Sequence, residues 1–397
     1  MATLLLIVIY LVFISLGLPD SLLGAAWPVM RDDLGAPLGM AGVLSVTVTI
    51  GTIVSALSTS RVVRRFGTAR VTLISVAMTA GALLGFSIAP SVLWLAVCCV
   101  PLGLGAGAVD SALNHYVAGH YAARHMSWLH CFWGVGVTVS PMIMAAYLED
   151  GAWRGGYLTV GLIQSAIAAI LLLSLPLWSR MERRNGDEAA GDGAPASEER
   201  DGKPKNAAAI KFALATFLFY CGVEVTAGLW GSSYLVNAKG LSADEAALWV
   251  SIYFAGITIG RFVNGFVTYR YSNKTLIRAG ELLALAGTLL LALPLPTAFS
   301  LAGFLITGLG LAPIFPSMLH ETPVRFGEAH AGRIMGWQMA TAYTGAALLP
   351  PLFGWLAGHI TIHFFPSYLA LMAAAMLLAT ERLNALTARR SGHAAGK

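Results

Sequence analysis

Three carboxyls lie deep in apolar runs: Asp20 in "GLPDSLLGAAWP", Asp110 in "GLGAGAVDSALNHYV" and Glu224 in "YCGVEVTAGLWGSSYL". An ionised carboxylate in hydrocarbon costs at least about 2.5–3.5 kcal/mol on insertion scales, so an acid kept there points to proton movement or ligand binding. Asp20 follows Pro19, which removes an amide donor and bends a helix. The freed backbone groups can hold a ligand or water beside the carboxyl. Arg261, in "GITIGRFVNGF", is the one cation inside a run and is placed to pair with an acid and control its proton. The alternatives are a structural hydrogen bond for each acid and snorkelling toward the inner surface for Arg261.

Other side chains suit a neutral, hydroxyl-bearing solute. Asn114 is one turn from Asp110 and shares its face; Asn264 stands three residues from Arg261 and shares that face. Trp133, Trp230 and Tyr343 offer flat apolar rings with one polar atom each. Trp27 and Trp128 read instead as a membrane-interface belt. Gln338 and Gln164 are further candidate ligands. His130 is a candidate partner for the solute or an acid, its alternative being a packed polar crosslink. His115, His120, His125 and His130 recur every five residues, about 140° per step on a helix, so they share no face and predict no metal site. The sequence has neither HExxH nor GxxxxGK[ST], so neither a zinc site nor an ATP motor is expected, and no cofactor.

The elements that must position these residues are membrane helices. The chain is 57% hydrophobic and 11% charged, with mean hydropathy +0.71. Soluble domains carry about 25% charged residues. Apolar runs near 3–30, 38–60, 70–90, 92–118, 127–148 and 154–178 are each long enough to span a bilayer. So are those near 210–236, 245–269, 275–294, 297–320, 332–358 and 362–380. They predict an all-α membrane protein with 12 spans. They are too long, and lack the alternation, for barrel strands. The first run has no basic segment before it and exceeds a signal core, so it reads as an uncleaved helix. Cys98, Cys99, Cys131 and Cys221 all fall in spans and read as small buried apolar residues.

The net charge of +5 reflects topology, not nucleic acid. With both termini in the cytoplasm, the inner segments hold 21 Lys and Arg, and the outer loops hold only Arg31, Arg154 and Lys239. The positive-inside rule then places the chain as a multi-pass protein of a bacterial-type inner membrane with both termini cytoplasmic. Residues 180–211 carry seven basic and seven acidic residues among Gly, Pro and Ser. This reads as a disordered cytoplasmic linker over 180–209, between six-helix bundles at 1–179 and 210–397.

The two halves repeat one plan. Asp20-x-x-x-Gly24 answers Glu224-x-x-x-Gly228, offset by 204; Gly51 and Arg65 answer Gly256 and Arg270; Gly103-Leu-Gly105 answers Gly308-Leu-Gly310. Trp128, Gly136 and Pro141 answer Trp337, Gly345 and Pro350. The glycines of the fourth span read either as cavity lining or as close helix packing.

Parallel six-helix repeats joined by a cytoplasmic linker resemble the major facilitator superfamily of secondary transporters, along the whole chain. The family's loop signature after the second helix, Gly-x-x-x-Asp-Arg-x-Gly-Arg-Arg, is partly kept in "SRVVRRFGTAR": Arg65 and Gly67 remain, while Ser60 and Arg64 replace the Gly and Asp. The missing Asp puts the usual charge-relay latch in doubt. "GLPDSLLGAAWP", "MSWLHCFWGVGVTVSP" and "GLGLAPIFPSML" are similar to the fucose:proton symporter family and its glucose-transporter-like relatives. Their resemblance is strongest at Leu129, His130, Phe132, Gly134 and Gly136. It implies a sugar or polyol moved with a proton, by a monomer in the bilayer. It also implies one acid in the first helix and one in the fourth, matched by Asp20 and Asp110, with Glu224 a substrate ligand or a third member. The rival expectations are efflux of an amphipathic drug or lipid, and a transport-inactive sensor or intramembrane enzyme.

Overall fold

The computed structural model describes residues 2–121, 123–189 and 207–394. Every regular element among them is helical. Among the described residues, eleven segments are long and apolar enough to cross a membrane. The remaining one, α13 (Glu328–His359), is 32 residues long and long enough to span, but it carries Gln338, Thr341, Tyr343, Thr344 and two prolines.

The first half runs α1 (Ala2–Gly17), α2 (Leu22–Asp33), α3 (Met40–Phe66), α4 (Thr68–Ser87), α5 (Val92–His120), α6 (Ala123–Leu148) and α7 (Trp153–Ala189). The second runs α8 (Ala207–Lys239), α9 (Ala243–Val267), α10 (Asn273–Ala292), α11 (Ala298–Leu311), α12 (Ile314–Phe326), α13 and α14 (Phe365–Ala394). Helix α7 continues eleven residues past the apolar run, where Met181, Glu182, Arg183 and Arg184 are good helix formers. The expected linker of 180–209 is thus helical at both ends, in α7 to Ala189 and in α8 from Ala207, and 190–206 lies outside the described residues.

Two spans are broken where their prolines fall. The first splits into α1 and α2 around a turn at residues 18–21. Pro19 cannot donate to Ser15, and the Asp20 amide donates to Gly17 O at 3.3 Å. The tenth span splits into α11 and α12 at Ala312 and Pro313. Gly67, with φ of 80°, ends α3 in a conformation that a Cβ disfavours, which accounts for the glycine kept in that loop.

The chain packs as two compact units. One holds α1–α7 together with residues 235–251; the other holds α8 up to Tyr234 and everything from Ile252. Within the first unit, Ser251 Oγ donates to the Thr138 carbonyl at 2.9 Å. Its core is built on Phe13, Val76, Leu113, Leu129 and Trp178.

Close approach of backbones repeats between the halves. A Cβ on Gly103 would overlap the Val48 carbonyl, and one on Gly308 would overlap the Tyr253 carbonyl. A Cβ on Gly136 would overlap the Ile14 carbonyl, and one on Gly345 the Leu218 carbonyl. These glycines therefore serve helix packing in equivalent places.

Candidate functional site

The broken first span packs tightly on α6. Gly17 lies against the Trp133 carbonyl as Gly136 lies against Ile14. Just past the break, Ser21 Oγ donates to Val137 O at 2.9 Å and lies 2.7 Å from Ser140 Oγ. This closeness brings Trp133 to Asp20: the indole Nε1 donates to Asp20 Oδ2 at 2.8 Å. Asp20 is exposed and Trp133 half-buried. The break thus presents a carboxyl that Trp133 helps to fix and that keeps an accessible face.

On α5, Asn114 Nδ2 donates to Asp110 Oδ1 at 2.8 Å, as their one-turn spacing allows. Asn114 Oδ1 is buried with no hydrogen-bond partner among the described residues. His130, on α6, meets the edge of Phe13 with ring centres 6.1 Å apart and is half-buried.

The second unit has its own charged cluster. Arg261 Nη2 on α9 pairs with Glu224 Oε1 on α8 at 3.1 Å, and each side chain is 14% exposed. The same nitrogen donates to Tyr220 Oη at 3.3 Å, and Tyr253 Oη donates to the Glu224 carbonyl at 3.1 Å. Arg261, expected to pair with an acid, does so with Glu224, and two tyrosines complete the cluster. Asn264 is half-buried one turn along α9. Tyr343 is half-buried on α13.

Three expected ligands are engaged in packing contacts. Trp230 is fully buried; its Nε1 donates to Pro350 O at 2.8 Å and its ring packs on Phe353. Gln338 is 1% exposed and accepts from Thr322 Oγ1 at 3.0 Å, tying α13 to α12. Gln164 is equally buried and donates to Thr79 at 2.8 Å. Of the expected interface tryptophans, Trp128 is exposed, while Trp27 is fully buried and donates to Leu38 O.

Sequence reading missed two acids. Glu281 on α10 is fully buried and accepts from Thr380 Oγ1 at 2.6 Å. Glu321 is 7% exposed and pairs with Arg325 at 3.1 Å. Glu281 stands in the run "AGELLALAG", where a lone acid was the available signal. Tyr220 was also within reach, one turn before Glu224 on the same face. Tyr253 had no such signal, since only the packing of α9 on α8 brings it there.

The sequence profile of the Major Facilitator Superfamily matches residues 9–208 and 212–393. The chain belongs to this superfamily. The Bypass of stop codon protein 6 of Saccharomyces cerevisiae is 25% identical over 93% of this chain and 80% of its own length. The glucose/mannose transporter GlcP of Bacillus subtilis is 23% identical over 66% of this chain and 65% of its own. A glucose/galactose transporter of Brucella abortus is 25% identical over the same shares. Among solved structures, that of a D-xylose-proton symporter superposes with a TM-score of 0.75 at 15% identity, covering 95% of this chain and 96% of that one. The all-α fold of 12 membrane helices in two pseudo-symmetric bundles is therefore that of a superfamily transporter. The protein is a multi-pass membrane transporter and not an enzyme.

Proposed function

We propose that this transporter moves a small neutral hydroxylated solute, a sugar or polyol, by alternating access coupled to protons. The observation that carries the reading is the Asp20–Trp133 pair at the break of the first span. A carboxyl in mid-span is tolerated where it faces water or protein, and we read the exposed face of Asp20 as lining an aqueous path. There it can exchange a proton with the solution while the Trp133 ring offers a flat face to pyranose C–H groups. The sugar transporters among the relatives support the solute class.

Asp20 is the first proton carrier in this reading. Asp110 and the Glu224–Arg261 pair respond to it as the halves rearrange. Asn114, with an amide oxygen that has no partner among the described residues, is the leading solute ligand; His130, Asn264 and Tyr343 complete the set. Trp230 and Gln338, engaged in packing contacts, position the second bundle. The bundles correspond to 1–179 and 210–397, joined by a cytoplasmic linker, in a bacterial-type inner membrane with both termini inside. The transporter works as a monomer.

The test is flux into proteoliposomes for a panel of hexoses, pentoses and polyols, with and without an imposed pH gradient. Accumulation of one of them that collapses with the gradient supports the reading. Gradient-independent equilibration overturns the coupling, and no flux for any member overturns the solute class.

A further inference from the structure

Pro19 has no N–H, so the Ser15 carbonyl, four residues earlier, has no intrahelical donor. Ser15 is 1% exposed, and its hydroxyl has no hydrogen-bond partner among the described residues. On α7, Gln164 is likewise 1% exposed, and its Oε1 has no partner among them. Thr79 decides which end of that amide is left over. Its hydroxyl donates to Val76 O at 2.9 Å, so toward Gln164 it accepts, taking the Nε2–H at 2.8 Å. The oxygen end is thereby turned away from Thr79.

Ser15, Pro19, Thr79 and Gln164 line one small cavity of about 10 Å³, with Val109 among its apolar walls. That is room for about one water molecule. Gln164 Oε1 and the Ser15 hydroxyl lack partners among the described residues, and the Ser15 carbonyl lacks its helical donor: two carbonyl-type oxygens that only accept, and one hydroxyl that donates or accepts. A water matches them, with two hydrogens for the acceptors and a lone pair for the hydroxyl. No Asp or Glu lines the cavity, so a cation would be desolvated there without a counter-charge. An apolar occupant would leave both acceptors unpaired.

We infer that this cavity is a binding site for one ordered water. The water bridges Gln164 Oε1 to the hydroxyl and carbonyl of Ser15, and so ties the Pro19 bend of the first span to α7. Gln164 is then a positioning residue that acts on Asp20 through the bend and does not contact the solute. The inference does not depend on which solute is carried.

The experiment is a cryo-electron microscopy or crystal structure of the full chain, at a resolution where waters are seen elsewhere in the map. It is repeated for Gln164→Met, which keeps the side chain's length and removes its oxygen. The expected result is a peak at hydrogen-bond distance, about 2.6–3.2 Å, from Gln164 Oε1 and Ser15 O, lost in Gln164→Met. If Gln164→Met does not fold, Ser15→Ala, which deletes only the hydroxyl, is expected to weaken the same peak. No peak in the unmodified protein overturns the proposal, as does a peak undiminished by the substitution. A thallium(I) anomalous signal at the position overturns it in favour of a cation.

Discussion

Trp133 and Asp20 are 113 residues apart, yet the indole N–H of one reaches the carboxylate of the other at 2.8 Å. The contact exists because Gly17 and Gly136 let α1 and α6 approach at backbone distance. The break at Pro19 leaves Asp20 exposed beside α6. Packing, a helix break and a charged site are parts of one arrangement.

Replacing the acid tests its proton role. Asp20→Asn keeps the shape of the protonated carboxyl and removes its titration. We expect it to abolish uphill, pH-driven uptake while leaving solute binding and counterflow exchange between equal pools. A variant that still concentrates solute on a pH gradient would show that Asp20 is not the carrier.

Removing only the indole hydrogen tests the pair. Trp133→Phe keeps an apolar ring but has no N–H to donate. A hydrogen bond to a charged group contributes about 1.5–3 kcal/mol when buried, and less beside an exposed carboxyl. We expect solute affinity to fall about tenfold or less in Trp133→Phe and further in Trp133→Ala, measured by titration calorimetry. Equal affinities in all three proteins would place Trp133 outside the site.

The Glu224–Arg261 pair predicts strong non-additivity. Removing one partner of a buried pair costs about 3–5 kcal/mol because the other charge is left uncompensated. Arg261→Met and Glu224→Gln should each lower the melting temperature in detergent. The double variant should recover much of the loss. Additive losses would mean that the two charges are not coupled.

Asn114 and Gln164 should separate in their effects. Both amide oxygens lack a partner among the described residues, but Asn114 is half-buried while Gln164 is 1% exposed and walled into the bundle. Asn114→Ala should weaken solute binding by about 1–3 kcal/mol with a small change in melting temperature. Gln164→Ala should lower the melting temperature and leave affinity nearly unchanged. Ligand-induced thermal shifts read both quantities, and the reverse ranking would exchange the two roles.

Equivalent glycines should fail alike. A side chain at Gly103 or Gly308 meets a backbone carbonyl of the neighbouring helix, which cannot move aside as a flexible side chain can. Overpacking of this kind costs about 1–3 kcal/mol. Gly103→Val and Gly308→Val should each reduce thermal stability and the yield of monodisperse protein. A stable Gly308→Val beside an unstable Gly103→Val would break the equivalence.

Hydropathy, Lys/Arg placement and the repeat between the halves already determine a great deal. Apolar runs of bilayer length leave helices as the only way to satisfy the backbone, so the spans follow from composition. Pro19 and Pro313 lie at the breaks, where the missing N–H removes a helical bond, yet Pro141 and Pro350 stay inside continuous helices, so the residue type alone does not place a break. Asp110–Asn114 and Tyr220–Glu224 follow from helical spacing alone. Tertiary structure alone decides the rest, since contacts between helices depend on rotation and depth that no local pattern encodes. It joins Trp133 to Asp20 and Arg261 to Glu224. It also takes Trp230 and Gln338 into packing contacts, though their residue types suit a solute equally well. An indole or an amide carries the same chemistry in a core as in a cavity, and only its neighbours determine which of the two it serves.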